Sequence, residues 1–137
     1  MLPISLLREK LFQVDGVGQS IDVSRETGKL LVLTLGITRI LEQESIEVSI
    51  WGSTDGAAWG TKPLVSFPPK SYCGLYSILL NLSARPEIRH LRTQWKMNRW
   101  SKSPGSALMC TFYVDAEESG TRLQAPSPSF VHTVAVA

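Results

Sequence analysis

Glu47 to Trp59 reads E-V-S-I-W-G-S-T-D-G-A-A-W, and the rest of the chain is organised around this stretch. Ile46, Val48 and Ile50 point one way and Ser45, Glu47 and Ser49 the other. That period of two marks a strand with one buried face. Asp55–Gly56 is a strong turn pair, because glycine accepts a positive φ without a Cβ clash and aspartate hydrogen-bonds back to the chain. Trp59 follows the turn and is placed to fold back over the apolar face as core. Asp55, Gly56 and Trp59 therefore read as a structural turn. Trp51 has the opposite parity to Ile50 and is a candidate for exposed contact.

Upstream, Lys29 to Leu35 is an almost continuous apolar run, expected to be a central strand covered on both faces. Gly36 to Leu41 could continue it past a bulge. Ser20 to Ser24 alternates around Ile21 and Val23, and Leu11 to Val14 reads as a short strand ended by Asp15–Gly16–Val17–Gly18. The two spaced glycines do not open a dinucleotide loop, since no strand-loop-helix pattern follows. Leu2 to Leu11 fits a short helix or a strand, with Pro3 restricting Leu2.

Downstream, Lys62 to Lys70 holds Pro63, Pro68 and Pro69 and reads as a loop or edge. Gly74 to Leu82 is a strand, and Ser83 to Glu87 turns the chain. Ile88 to Met97 alternates, with Leu91, Thr93, Trp95 and Met97 on one face and His90, Arg92, Gln94 and Lys96 on the other. Asn98 to Ser106 is a polar loop. Ala107 to Asp115 is a strand with Leu108, Cys110, Phe112 and Val114 inward. Short strands at this spacing, with turn residues between them, predict an all-β antiparallel sandwich, jelly-roll-like, with extended N- and C-terminal arms. The expected division is an arm over residues 1–10, a sandwich over 11–119 and a Pro/Ser linker with a β-prone arm over 120–137.

The chain has 137 residues, 43% of them apolar and 19% charged, which suits one domain with a real core. A net charge of +2 gives no reason to expect nucleic acid or a membrane. Cys73 and Cys110 lie in apolar stretches and read as two buried free thiols or as one disulfide. No C-x-x-C or H-x-x-H spacing points to a metal. The N-terminal M-L-P-I-S-L-L-R-E-K lacks the order of a signal peptide, and no apolar run is long enough to span a bilayer. The expected location is the cytoplasm or a virion assembled there.

Three motifs between Ile46 and Trp95 bear on the family: V-S-I-W-G-S-T-D-G-A-A-W, then L-N-L-S near Leu82, then Pro86–Glu87–Ile88–Arg89–His90–Leu91–Arg92. Together they resemble the discoidin-type jelly roll, also called the coagulation-factor type C or galactose-binding-like domain. Similar signatures occur in carbohydrate-binding modules and in virion appendage proteins. The resemblance implies a non-catalytic binding or assembly fold. Domains of this family are usually secreted and often closed by a disulfide joining their ends. Neither feature is evident here, so the fold is carried over and the sugar specificity is not.

No catalytic set emerges. His90 and His132 are the only histidines, no G-x-S-x-G is present, and Glu117–Glu118 reads as a solvated loop. No catalytic residue, metal site or cofactor is expected. Trp51 and Trp100 are candidate contacts, while Trp59 and Trp95 read as core. Arg85, Arg89, Arg92, Lys96, Arg99 and Lys102 face one acid, Glu87, within residues 85–102. With Gln94 between them, Arg92 and Lys96 form either a solvated face or a basic contact surface, to which Arg99 adds. Phe130 and Val134 lie in F-V-H-T-V-A-V, which either completes its own sheet or docks on a neighbour. The expected function is a structural subunit of a phage-like virion, capsid or tail, with copies of itself or neighbouring subunits as partners. The alternative is a carbohydrate-binding module with a glycan ligand.

Overall fold

A computed structural model describes residues 3–99, 108–119 and 134–136, the last three by their backbone. The strands are β1 (Ile4–Phe12), β2 (Gly16–Val17), β3 (Ile21–Asp22), β4 (Leu30–Ile40), β5 (Glu44–Ser53), β6 (Val65–Ser66), β7 (Gly74–Asn81), β8 (His90–Arg99), β9 (Cys110–Glu118) and β10 (Val134–Val136). They build two sheets. The first has the order β1-β9-β4-β7-β10, and the second β2-β8-β5-β6 with β3 also on β8. All the long strands pair antiparallel. The protein is an all-β sandwich, as the alternation predicts.

Period two places the core. Leu31, Leu33, Leu35 and Ile37 of β4, with Cys110, Phe112, Val114 and Ala116 of β9, face Ile46, Val48 and Ile50 of β5. Leu91, Trp95 and Met97 of β8 complete that layer, and buried Thr93 lies among them. Burying each large aliphatic or aromatic side chain here contributes about 1.5–3 kcal/mol. Phe12, Trp95 and Phe112 pack as a cluster with ring centroids 4.5–5.8 Å apart, and the Trp95 indole donates to the Val14 carbonyl at 2.9 Å.

Several expectations are corrected. Residues 4–10 do not form an arm: they are most of β1, paired with β9 and seated by the buried Leu6. Two register shifts within β1 break its alternation, which is why the sequence did not declare it a strand. Gly16–Val17, expected within a turn, pairs with Trp95 and Gln94. The bulge expected after Gly36 falls between Ile37 and Arg39. Strand β4 is central, yet among the described residues no further layer covers its second face. Val32 and Thr34 are half-buried there, and Tyr113 of β9 lies across Gly36. A Cβ on Gly36 would overlap the Tyr113 ring, so any larger residue there would have to displace that ring.

Both cysteines are free thiols, but only Cys110 is buried; Cys73 is exposed just before β7. Burial first, and the Glu44 charge second, push the Cys110 thiol up to about 12. It packs as a small hydrophobe with little thiolate character. At the other end of the chain, Val134–Val136 lies parallel to Ser77–Leu79 on the edge of the first sheet.

Candidate functional site

The outer face of β5 and β8 gathers the sequence-predicted contacts. Antiparallel register pairs Glu47 with Lys96, Ser49 with Gln94 and Trp51 with Arg92. Their neighbours Val48, Ile50, Thr93 and Trp95 are buried, so parity turns this second set outward. The Trp51 indole donates to the Ser49 hydroxyl at 3.0 Å, which fixes its orientation along the strand. Glu47, Ser49, Trp51, Ser66, Gln94 and Lys96 line a shallow depression of about 210 Å³, with Pro63 at its rim.

The turn after β5 closes one end of this face. The Asp55 carboxylate accepts from the Ala57 and Ala58 N–H groups at 2.8 and 3.0 Å and from the Ser53 hydroxyl at 3.0 Å. The Gly56 N–H donates to the Ser53 hydroxyl at 2.8 Å. These bonds, the Ala58 and Ala57 amides foremost, hold the Asp55 pKa down to about 2. Gly56 has φ +82°, the left-handed conformation that the turn pair predicts.

Trp59 is not core. It is half-buried on the outer face, with the Arg92 guanidinium 4.3 Å from its ring centroid. The turn carries the chain outward past the sheet, and the nearest partner for the indole is a cation rather than an apolar layer. Arg92 Nε is buried and has no acceptor among the described residues.

The predicted contacts are thus partly brought together. Trp51, Arg92 and Lys96 share one face. Arg99 has the opposite parity, and its Nη2 lies 3.8 Å from Glu44 Oε2 at the start of β5. Trp100 and Phe130 lie outside the described residues, and Val134 is placed by its backbone in β10. Glu44 was missed: it is fully buried and accepts the Met109 N–H at 2.9 Å. Its parity with Ile46, inward, is the signal that could have found it. Ser66 was also missed, because only the pairing of β6 with β5 brings it beside Ser49.

Among the described residues, no group of three or more His, Cys, Asp or Glu side chains is placed to hold a metal ion. No helix there is long and apolar enough to cross a membrane. No protein-family model matches the sequence, and no curated protein matches it either. Solved structures do match the fold. The structure of infectious bursal disease virus Gx strain aligns at TM-score 0.55 and 12% identity over 83% of this chain. The Gt strain structure aligns at 0.56 and 10% over 86%. The VP2 subviral particle of the same virus aligns at 0.54 and 7% over 83%. This chain spans 31%, 33% and 30% of those chains respectively. What the chain shares with these viral proteins, at such identities, is a β-sandwich fold.

Proposed function

We propose that this protein is a non-enzymatic structural subunit that packs with copies of itself, or with neighbouring subunits, into a multimeric particle such as a virion, capsid or tail. The observation that carries the reading is the two-sheet sandwich itself. Its strands follow, over most of the chain, those of proteins solved in viral and subviral particles. The discoidin-type resemblance of residues 46–95 is a finer reading that rests on its three motifs and is compatible with a sandwich used for assembly.

One assembly contact follows from the sheet edge. Strand β10 meets β7 through main-chain bonds in a three-residue parallel ladder. Fourteen residues, 120–133, separate it from Ser119, the residue after β9. A spacer of that length can reach on the order of 45 Å when extended, at about 3.3 Å per residue. The same ladder formed with a neighbour's β7 would link two copies, with Phe130 and Val134 as apolar contacts.

The experiment is light scattering after size-exclusion chromatography, with negative-stain microscopy, on the full chain and on a chain lacking residues 125–137. A large regular homo-oligomer from the full chain, reduced in the truncated but folded chain, supports the reading. A full chain that stays monomeric at every concentration overturns it.

A further inference from the structure

We propose that copies of this chain join head to tail, the projection formed by Tyr72 and the β4–β5 turn of one copy seating in the open groove between β1 and β2–β3 of the next. The proposal rests on the assembly reading and names a contact separate from the β7–β10 ladder. It starts from exposed apolar surface, which marks where a subunit lacks a partner. Among the described residues, Tyr72 is the most exposed large hydrophobic side chain, at 78%. Its backbone is braced: the Tyr76 hydroxyl donates to the Tyr72 carbonyl at 2.7 Å, and Lys70 Nζ lies 4.5 Å from the Tyr76 ring centroid. The Tyr72 ring itself packs on no other aromatic ring among the described residues. An aromatic group on a held backbone loses little freedom when it docks. Leu41 and Glu42 of the β4–β5 turn line the same hollow as Tyr72.

The groove lies at the other edge of the sandwich, where β1 closes the first sheet and β2 and β3 close the second. Leu7, Phe12, Ile21 and the half-exposed Val17 line it, and its volume is about 780 Å³. Among the described residues, its charged lining is Arg8 and Lys10 alone, and neither has an ion pair or hydrogen bond there. Glu9, between them, is turned away, its carboxylate accepting from the Thr38 hydroxyl at 3.0 Å. The Tyr72 hollow has the opposite sign. Glu42 is the one charged group of its described lining and is likewise unengaged there, while Lys70 is held against Tyr76. Two grooves placed face to face would set Arg8 and Lys10 against themselves, whereas groove against projection sets them against Glu42. Nor is an added strand the occupant, because the register shifts within β1 break the regular row of main-chain groups it would pair with. Three strand positions separate β1 from β7, roughly 14 Å at 4.8 Å per strand, so the projection fills a neighbour's groove and not its own. Two different surfaces make the contact heterologous, and its repetition closes a ring or extends a filament.

The test disables one surface at a time in the full chain. Tyr72→Ala removes the projection and keeps the groove. Lys10→Glu with Val17→Glu blocks the groove and keeps the projection. All three positions are exposed, and circular dichroism checks that each variant is folded. Light scattering after size-exclusion chromatography reads the parent, each variant and their equimolar mixture. Self-association should weaken by about tenfold or more in each variant alone, and less in Tyr72→Phe. The mixture should regain association between one copy of each variant, because a working projection again meets a working groove. Glu42→Lys combined with Arg8→Glu and Lys10→Glu in one chain should recover part of what either change loses. If the parent assembles and both variants assemble equally well, this contact is overturned and the assembly reading stands. If the groove variant melts lower yet assembles like the parent, another segment of the same chain fills the groove and the contact is again overturned. Variants that fail alone and stay apart when mixed overturn the head-to-tail arrangement. A parent that is monomeric at every concentration overturns both readings.

Discussion

The two ends of β5 meet the same requirement in opposite ways. Each has a carboxylate beside a residue in the left-handed conformation. After the strand, these are Asp55 and Gly56 (φ +82°); before it, Gln43 (φ +62°) and Glu44. Asp55 is exposed, and its hydrogen-bond partners lie within three residues. Glu44 is fully buried where the chain crosses from the first sheet to the second, and its amide partner Met109 is 65 residues away. Its Oε1 accepts no hydrogen bond from the described residues. One corner is held by local chemistry that would form in a short peptide. The other exists only once β5, β8 and β9 have assembled. A locally satisfied turn carries no strain into the fold, whereas the Glu44 corner places a side-chain-bearing residue, Gln43, where glycine is favoured.

The largest effect should come from breaking the tertiary corner. Glu44→Ala leaves the Met109 N–H without its acceptor and removes the charge facing the largely buried Arg99. A loss of about 3 kcal/mol is expected in urea unfolding. Glu44→Gln keeps an acceptor for the amide and should lose less. If Glu44→Ala unfolds at the same midpoint as the parent, the corner is not held by this carboxylate.

The same contrast explains what could be read from the sequence. The Asp55–Gly56 turn was legible because its chemistry is contiguous. The alternation of Ile46, Val48 and Ile50, and of Leu91, Thr93, Trp95 and Met97, was legible because a strand's period is a property of the strand alone. Register was not, and the site depends on register. Nothing in the two strands taken separately says that Trp51 lies opposite Arg92 or that Glu47 lies opposite Lys96. Trp59 was misassigned for the same reason: an indole after a turn has two faces of the sheet to choose from, and the cation that draws it outward sits 33 positions along the chain. Strand β1 was hidden by its bulges, and Glu44 by the convention that acids mark outer faces.

The local corner predicts a smaller, pH-dependent effect. Folding lowers the Asp55 pKa from 3.8 to about 2. A carboxyl group depressed on folding stabilises the native state fully above its unfolded pKa, and that contribution fades as pH falls through the folded value. Asp55→Ala should therefore be less stable than the parent at pH 6, with the gap between the two closing between about pH 4 and pH 2. The gap, not the parent's profile alone, is the quantity to follow, because Asp22 and Glu87 are also lowered while Asp115 is raised. Urea midpoints at five or six pH values would show it. A gap that stays constant down to pH 2 would mean that the aspartate's charge plays no part in the turn.

The smallest effect is the most discriminating. Gln43 is exposed, at φ +62°, and among the described residues no hydrogen bond of its side chain explains its place there. Gln43→Gly should relieve the left-handed penalty and raise stability by about 0.5–1 kcal/mol, partly offset by the greater freedom of glycine in the unfolded chain. The substitution touches no core residue, so thermal melts of parent and variant report the backbone alone. The double variant then tests who imposes the strain. If the Glu44 contacts force Gln43 into this conformation, the turn relaxes once Glu44 is alanine, and Gln43→Gly adds little in that background. A gain of equal size in both backgrounds would place the strain in the turn itself. Gln43 and Glu44 would then be independent neighbours, and the two ends of β5 would differ only in burial.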